Sequence, residues 1–427
     1  MASKASDFAS RSYGKLADCR IQVDLKRGCG MKKEQELEGP RLSDSGFFEM
    51  IDQTDEALRK AGALAGKGGM NAARSALCAY IRRRSTPTWF PLKRDIPFNR
   101  NEADRALRGE VTACHIPYCF EDGIDWQFNA SRNSDEFAYT NEWMWQLNRM
   151  TFWRSLGRAY LEEKDERYSA AFAEQLESWV RSCPRPDDDG NREDSAWRTI
   201  ETGLRLGKTW PEVFHCCLSS ESFTDDHLIL FMKSIIEQAE HLIAGQDNPR
   251  HNNWILIEMM GLFAAGVLFP EVKRAEEWRK YAVKIMAEEQ ERQFLPDGFQ
   301  YELTTGYHNT SLSCIYTTVS LAEAVGRKDE IPDSMISNLE KAFDVVLYIM
   351  SPDRHLPAFN DSKVMAVRSL MAEAAKCFPA RKDYLWAAGD AKKGRQPRKL
   401  SVFFDCAGYA AMRSGWGRDD TVVYFDN

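Results

Sequence analysis

Apolar residues recur at i, i+3, i+4 and i+7 through most of this chain, the spacing that gathers them on one face of a helix. Segments with that pattern run from Phe47 to Ala63, Asn71 to Arg84, Asp135 to Glu163, Glu166 to Ser182 and Asp194 to Lys208. They continue from Asp225 to Ala244, Asn253 to Leu268, Glu271 to Phe294, Ser311 to Val325, Pro332 to Met350 and Ser362 to Ala375. Breakers separate them at RPDDDG (185–190), AGQDNP (244–249) and SPDRHLP (351–357). So many helices with little strand between them predict a mainly α fold, a helical hairpin array or toroid. No repeat of fixed period is visible, which disfavours a regular solenoid.

From Leu400 the period changes. SVFFDCAGYAAMRSGWG and TVVYFDN set β-branched and aromatic residues between Gly-rich turns and read as strands. A lone strand pair leaves open edges, so the expectation is a larger β-domain that begins here and continues past Asn427. The first residues are weakly periodic and read as an irregular arm. The expected division is therefore an arm over 1–41, a helical domain over 42–398 and the start of a β-domain over 399–427.

With 43% apolar residues in 427, the chain can bury a sizeable core. A net charge of -7 argues against non-specific nucleic-acid binding, while leaving room for a locally basic cleft. The eleven cysteines, among them the vicinal Cys216 and Cys217, predict reduced and mostly buried thiols rather than a disulfide framework. Cys114 and Cys119 flank His115 at a spacing that matches no zinc pattern, so no metal is expected. The first thirty residues hold no apolar run of signal-peptide length and no span suits a membrane, which makes a cytoplasmic protein the default. No Walker loop, Rossmann glycine pattern, HExxH or GxSxG occurs in a suitable context, and no cofactor is expected.

Candidate chemistry concentrates between His251 and His308. The stretch opens HNNWILIEMMGLFAAGVLFPE and closes QFLPDGFQYELTTGYH. If the two intervening helices run antiparallel, Asn252 and Asn253 return to the same rim as Tyr301, Glu302, Tyr307 and His308. One adjacent amide would serve as an N-cap; two exceed what a cap needs. A second concentration lies in EWMWQLNRMTFWRSLGRAY (142–160) and WRTIETGLR (197–205). There Trp145, Asn148, Arg149, Trp197, Arg198, Glu201 and Arg205 fit either core helix faces, with Arg198 and Glu201 an ordinary i, i+3 ion pair, or a carbohydrate groove. In the groove reading indoles stack on sugar rings and guanidinium groups take carboxylate or sulfate.

WQLNR, WRTIETGLR, NNWILIEMMGLFAAGVLFPE, QFLPDGFQYELTTGYH and AGYAAMRSGWG, in that order, resemble the heparinase II/III family of polysaccharide lyases. The resemblance runs from about Leu42 to the end of the chain. It implies an incomplete (α/α) toroid followed by an antiparallel β-sandwich, an acidic polysaccharide as partner, and cleavage beside a uronate by β-elimination. Members are often periplasmic or secreted. It also implies that the NN pair neutralises the uronate carboxylate and that the Tyr of the YH pair, Tyr307, is the general acid. Some relatives have His after the Asn where this chain has Trp254, which leaves His251 and His308 as local candidates for the base. The family takes a further His from the β-sandwich, and no matching position occurs in this sequence. With Trp254, Tyr301 and Glu302 added, these residues make up the expected site. The runners-up are a toroidal glycoside hydrolase, with Asp297 and Glu302 as paired carboxylates, and a non-catalytic carbohydrate-binding protein.

Overall fold

The computed structural model describes residues 40–84, 98–132, 134–247, 249–389 and 392–426. Apart from Pro40 and Arg41, the arm expected over 1–41 lies outside them. The helices are α1 (Asp44–Met50), α2 (Glu56–Gly66), α3 (Met70–Arg83), α4 (Arg100–Leu107), α5 (Glu142–Arg149), α6 (Trp153–Glu163), α7 (Glu166–Ser182) and α8 (Thr199–Leu204). A π turn (Arg205–Thr209) carries α8 straight into α9 (Trp210–Cys217). Then follow α10 (Asp225–Ala244), α11 (Asn253–Leu268), α12 (Ala275–Gln293), α13 (Thr305–Ala324), α14 (Asp333–Ile349), α15 (Arg368–Cys377) and α16 (Lys382–Ala387). Successive hairpins form an incomplete (α/α) toroid, as expected.

Where boundaries differ from expectation, local chemistry explains most of them. The segment expected to be helical from Asp135 begins at Glu142 and breaks after Arg149, where Met150 is left-handed at φ 52°. The helix expected from Ser311 begins at Thr305, because the Thr304 hydroxyl accepts the Tyr307 N–H as an N-cap. The helix expected from Ser362 begins at Arg368, since residues before it form the returning strand β4 (Met365–Ala366), paired with β3 (His355–Leu356). α4, α9, α16 and the hairpin of β1 (Glu110–Ala113) with β2 (Ile116–Cys119) were not foreseen.

α11 is the hub. All of its residues except Trp254 are buried, and it packs against α8, α10, α12 and α13. A helix apolar all round belongs inside a core. Two glycines set its closest approach to α8: a Cβ on Gly261 would stand 2.5 Å from the Gly203 carbonyl oxygen, and one on Gly203 would stand 2.7 Å from the Ile257 oxygen. Only hydrogen fits between these backbones, so α8 and α11 begin side by side.

Strands β5 (Ser401–Phe404), β6 (Tyr409–Arg413) and β7 (Val422–Asp426) form an antiparallel sheet, with Phe404 opposite Tyr409 and Met412 opposite Val423. One face sits on the helices: Arg413 Nη1 donates to Met350 O at 3.2 Å and the Tyr424 hydroxyl donates to Ile349 O at 2.8 Å. The other face exposes Phe403, Met412, Val423 and Phe425. Among the described residues no helix is long and apolar enough to cross a membrane, and the described cysteines are free thiols.

Candidate active site

α5, α8, α11 and α13 bring their N-terminal ends together. Trp145 of α5 lies under the Arg198 guanidinium, 3.5 Å from its carbon, and Arg198 immediately precedes α8. Trp254, in the first turn of α11, takes the same guanidinium at 4.7 Å. Asn253 Nδ2, also on α11, donates to Glu302 Oε2 at 3.2 Å in the turn before α13, and the Tyr301 hydroxyl donates to His251 O at 2.9 Å. The two polar clusters on either side of α11 and α12 thus meet, as antiparallel helices require. Helix N-termini add a positive potential that favours an anion at this rim.

The adjacent amides do different work. Asn252 is the N-cap of α11, its Oδ1 accepting the Trp254 N–H at 3.0 Å, while its carbonyl takes Gln293 Nε2 at 2.9 Å. The Asn253 carboxamide is free of that duty. One of its two amide hydrogens is directed to Glu302, whose Oε2 also accepts from Gln300 Nε2 at 2.9 Å. Among the described residues the second hydrogen meets no acceptor. The Pro296-Asp297-Gly298 turn positions Gln300 and Glu302; Gly298 has φ +91°, and a Cβ there would stand 2.6 Å from Lys341 O.

Tyr307 sits half-buried in the first turn of α13, and its hydroxyl donates to Asp361 Oδ2 at 2.7 Å. That bond, with burial and the charges of Asp361 and Glu302, raises the phenol above its ordinary range. His251 has Glu289 Oε1 at 2.7 Å from Nδ1, and Arg292 also approaches that nitrogen. A nitrogen that donates to a carboxylate cannot accept from a guanidinium. Arg292 instead pairs with Glu289 at 3.1 Å, and we assign Nδ1 as the protonated nitrogen.

Several expected contacts are corrected. His308 is buried; its Nδ1 accepts the Gln300 N–H at 3.2 Å and its Nε2 donates to Ala342 O at 3.1 Å. Burial pushes it down to about 4, so it is a neutral tie between helices and no accessible base. Arg205 is wholly enclosed, donating to Gln238 and Ala196 at 2.8 Å, Thr202 at 2.9 Å and Asn148 O at 3.1 Å. Burial lowers it to about 9. Asn148 is buried too, bonded to Trp126 O, Met144 O and Trp179. Trp197 donates to Cys183 O at 2.8 Å and stacks on Trp179. These residues form the buried wall behind the rim. Glu201, also buried, holds Arg149 at 2.9 Å and Arg198 at 3.4 Å, and Glu142 takes the other edge of Arg149 at 2.8 Å. Asp297 is likewise committed, with Oδ2 accepting the Cys406 and Ala407 N–H groups at 2.8 and 3.0 Å. That removes it as half of a hydrolytic carboxylate pair.

Sequence reasoning missed Arg250, Glu289, Gln300 and Asp361. Arg250 is exposed and stacks on Trp254 at 4.3 Å, completing a ladder of Trp145, Arg198, Trp254 and Arg250. It adjoins HNN, and an Arg four residues before a Trp on a rim was a usable signal. Asp361 had none, being 54 residues from its partner. Among the described residues, no three His, Cys, Asp or Glu side chains could together hold a metal ion.

The sequence profile of the family Heparinase II/III N-terminus matches residues 47–386. A heparin-sulfate lyase of Pedobacter heparinus is 29% identical over 395 residues, covering 88% of this chain and 58% of that protein. The heparin-sulfate lyase of Bacteroides thetaiotaomicron is 27% identical over 417 residues, covering 90% and 58%. A solved heparinase III superposes with TM-score 0.80 at 26% identity, over 89% of this chain and 61% of the other. The crystal structure of a heparan sulfate lyase from Pedobacter heparinus gives TM-score 0.70 at 27% identity, over 90% and 61%. The chain spans somewhat under two thirds of these relatives' length.

Proposed function

The chain belongs to the heparinase II/III family, and from that premise we propose that it is a polysaccharide lyase acting on heparan sulfate-type chains by β-elimination beside a uronate. The observation that carries the reading is the meeting of an amide and a phenol from two different helices at one rim. Asn253 of α11 donates to Glu302 in the turn that leads into α13, and Tyr307 stands in the first turn of α13 with its hydroxyl on Asp361.

The chemistry follows from the substrate. The C5–H of a uronate is acidic only when the adjacent carboxylate is neutralised; the free Asn253 hydrogen donates to that carboxylate as enolate character builds. A base removes the C5 proton, the C5–H electrons become the C4–C5 double bond, and the C4–O4 bond breaks. O4 leaves with the proton of Tyr307. Within this chain the candidate base is His251, whose Nε2 is the basic nitrogen when Nδ1–H is donated to Glu289. Glu302 holds the Asn253 carboxamide in register. The ladder from Trp145 to Arg250 offers indole faces and one exposed guanidinium to the sugar chain.

The test is incubation with heparan sulfate, heparin, hyaluronan, chondroitin sulfates and alginate, following ultraviolet absorbance of the unsaturated product. Absorbance should rise with heparan sulfate. New reducing ends without absorbance would mean hydrolysis, and binding without cleavage would mean a carbohydrate-binding protein.

A further inference from the structure

Tyr307 meets its hydrogen-bond partner by a device built from elements far apart in the chain. The β3–β4 hairpin folds its tip over the start of α13, clamped on both sides of Asp361. Asn360, left-handed at φ 53°, donates through Nδ2 to Leu303 O at 2.8 Å and to the Tyr409 hydroxyl at 2.9 Å. Tyr409 in turn donates to Leu303 O at 3.0 Å, and Phe359 stacks on its ring. On the other side the Thr305 hydroxyl donates to Pro357 O at 2.6 Å and lies 2.9 Å from the Ser362 hydroxyl. Gly306 lets the tip settle, since a Cβ there would stand 3.1 Å from Ser362 Oγ and 3.5 Å from Asp361 O. An exposed aspartate is thus held at a fixed place, 2.7 Å from the phenol.

We propose that Asp361 is the positioning residue of the elimination: its carboxylate fixes the Tyr307 oxygen beside the rim and keeps the proton on it until the hydroxyl turns from Asp361 to the departing O4. This rests on the reading of Tyr307 as general acid. A phenol that must deliver a proton is useful only while protonated, and a fixed anion at hydrogen-bond distance penalises the phenolate. Among the described residues, the charged groups acting on the phenol are Asp361 from the hairpin tip and Glu302 from the turn before α13. Glu302 is engaged by two amide donors, whereas Asp361 accepts the hydrogen bond of the phenol itself. Asp361 does not take the proton itself, because a carboxylate is far too weak a base towards a phenol. It sets position and protonation state only, and the phenolate left after turnover regains its proton from water.

The experiment compares the protein with its Asp361→Asn, Asp361→Ala and Tyr307→Phe variants, recording kcat against pH on heparan sulfate. NMR of carbon-labelled tyrosine follows the Tyr307 titration independently of activity. Asn can accept the same hydrogen bond without the charge, so the alkaline limb of kcat and the Tyr307 titration should both move down by about one pH unit or more. Asp361→Ala should add a fall in kcat of about tenfold, as placement is lost as well. An alkaline limb and a titration unmoved in Asp361→Asn, with Tyr307→Phe inactive, would overturn the role of Asp361 and leave the acid assignment standing. A Tyr307→Phe variant as active as the parent would instead remove the acid assignment, and this proposal with it.

Discussion

Replacing Gly261 with Ala tests whether the crossing of α8 and α11 is what brings the rim together. The added methyl would stand 2.5 Å from Gly203 O, 2.7 Å from its Cα and 3.0 Å from its carbonyl carbon. Comfortable carbon contacts lie near 3.5–4.0 Å, so the helices must part by about 1 Å. The obstacle is backbone on both sides, and no side chain can swing aside. Overpacking of this kind costs about 1–3 kcal/mol, and the better helix propensity of Ala returns about 1 kcal/mol of it. The expected net loss is up to about 2 kcal/mol, read as a lower urea midpoint at unchanged slope. Gly66 is the control, since it ends α2 with nothing within 4 Å of a Cβ; Gly66→Ala should be neutral or slightly stabilising. Because both glycines guard one gap, Gly203→Ala with Gly261→Ala should cost less than the two singles combined. Parting the helices also draws Trp254 from Arg198, now 4.7 Å apart, so near-ultraviolet circular dichroism should change. A Gly261→Ala protein as stable as the parent, with an unaltered tryptophan signal, would refute the close-crossing argument.

The two amides should separate cleanly: Asn253→Ala should lower kcat by about 10² or more, whereas Asn252→Ala should cost about 1 kcal/mol of stability through the lost cap and leave kcat near the parent's. The reverse pattern would exchange their roles. His308 and His241, ordinarily near 6.5, are both held down to about 4 by burial and stay neutral in the fold. The unfolded chain therefore binds their protons first, and stability should fall as pH drops from 6.5 towards 4, by about 3 kcal/mol for each histidine. Urea midpoints against pH should show a shallower acid slope for His308→Gln; an identical slope would count against it. Arg198→Lys keeps the charge but loses the planar stack between Trp145 and Trp254, so KM should rise more than kcat falls. Binding of heparan sulfate should weaken with added salt, and indifference to ionic strength would argue against arginine recognition at the rim.

Much of the helical layer was legible because its signal is local. The apolar period located most of the helices, and the HNNW and YELTTGYH clusters stood out because two amides, or two Tyr with a Glu and a His, exceed what a cap or a core needs. The same reasoning could not tell what each arginine of one helix packs against. Arg198 and Arg205 lie seven positions apart in WRTIETGLR and both are buried, and only the packing sets one between two indoles and encloses the other among carbonyl oxygens. Tyr307 and His308 are neighbours in sequence, yet a helix turns successive side chains by about 100°, sending one towards Asp361 and the other into the core. Periodicity and composition thus determined which segments are helices and which residue types could do chemistry. Which Asn is free, which His is silent and which carboxylate faces the phenol were decided by contacts between segments tens of residues apart, and such contacts leave no trace in the local spacing from which a sequence is read.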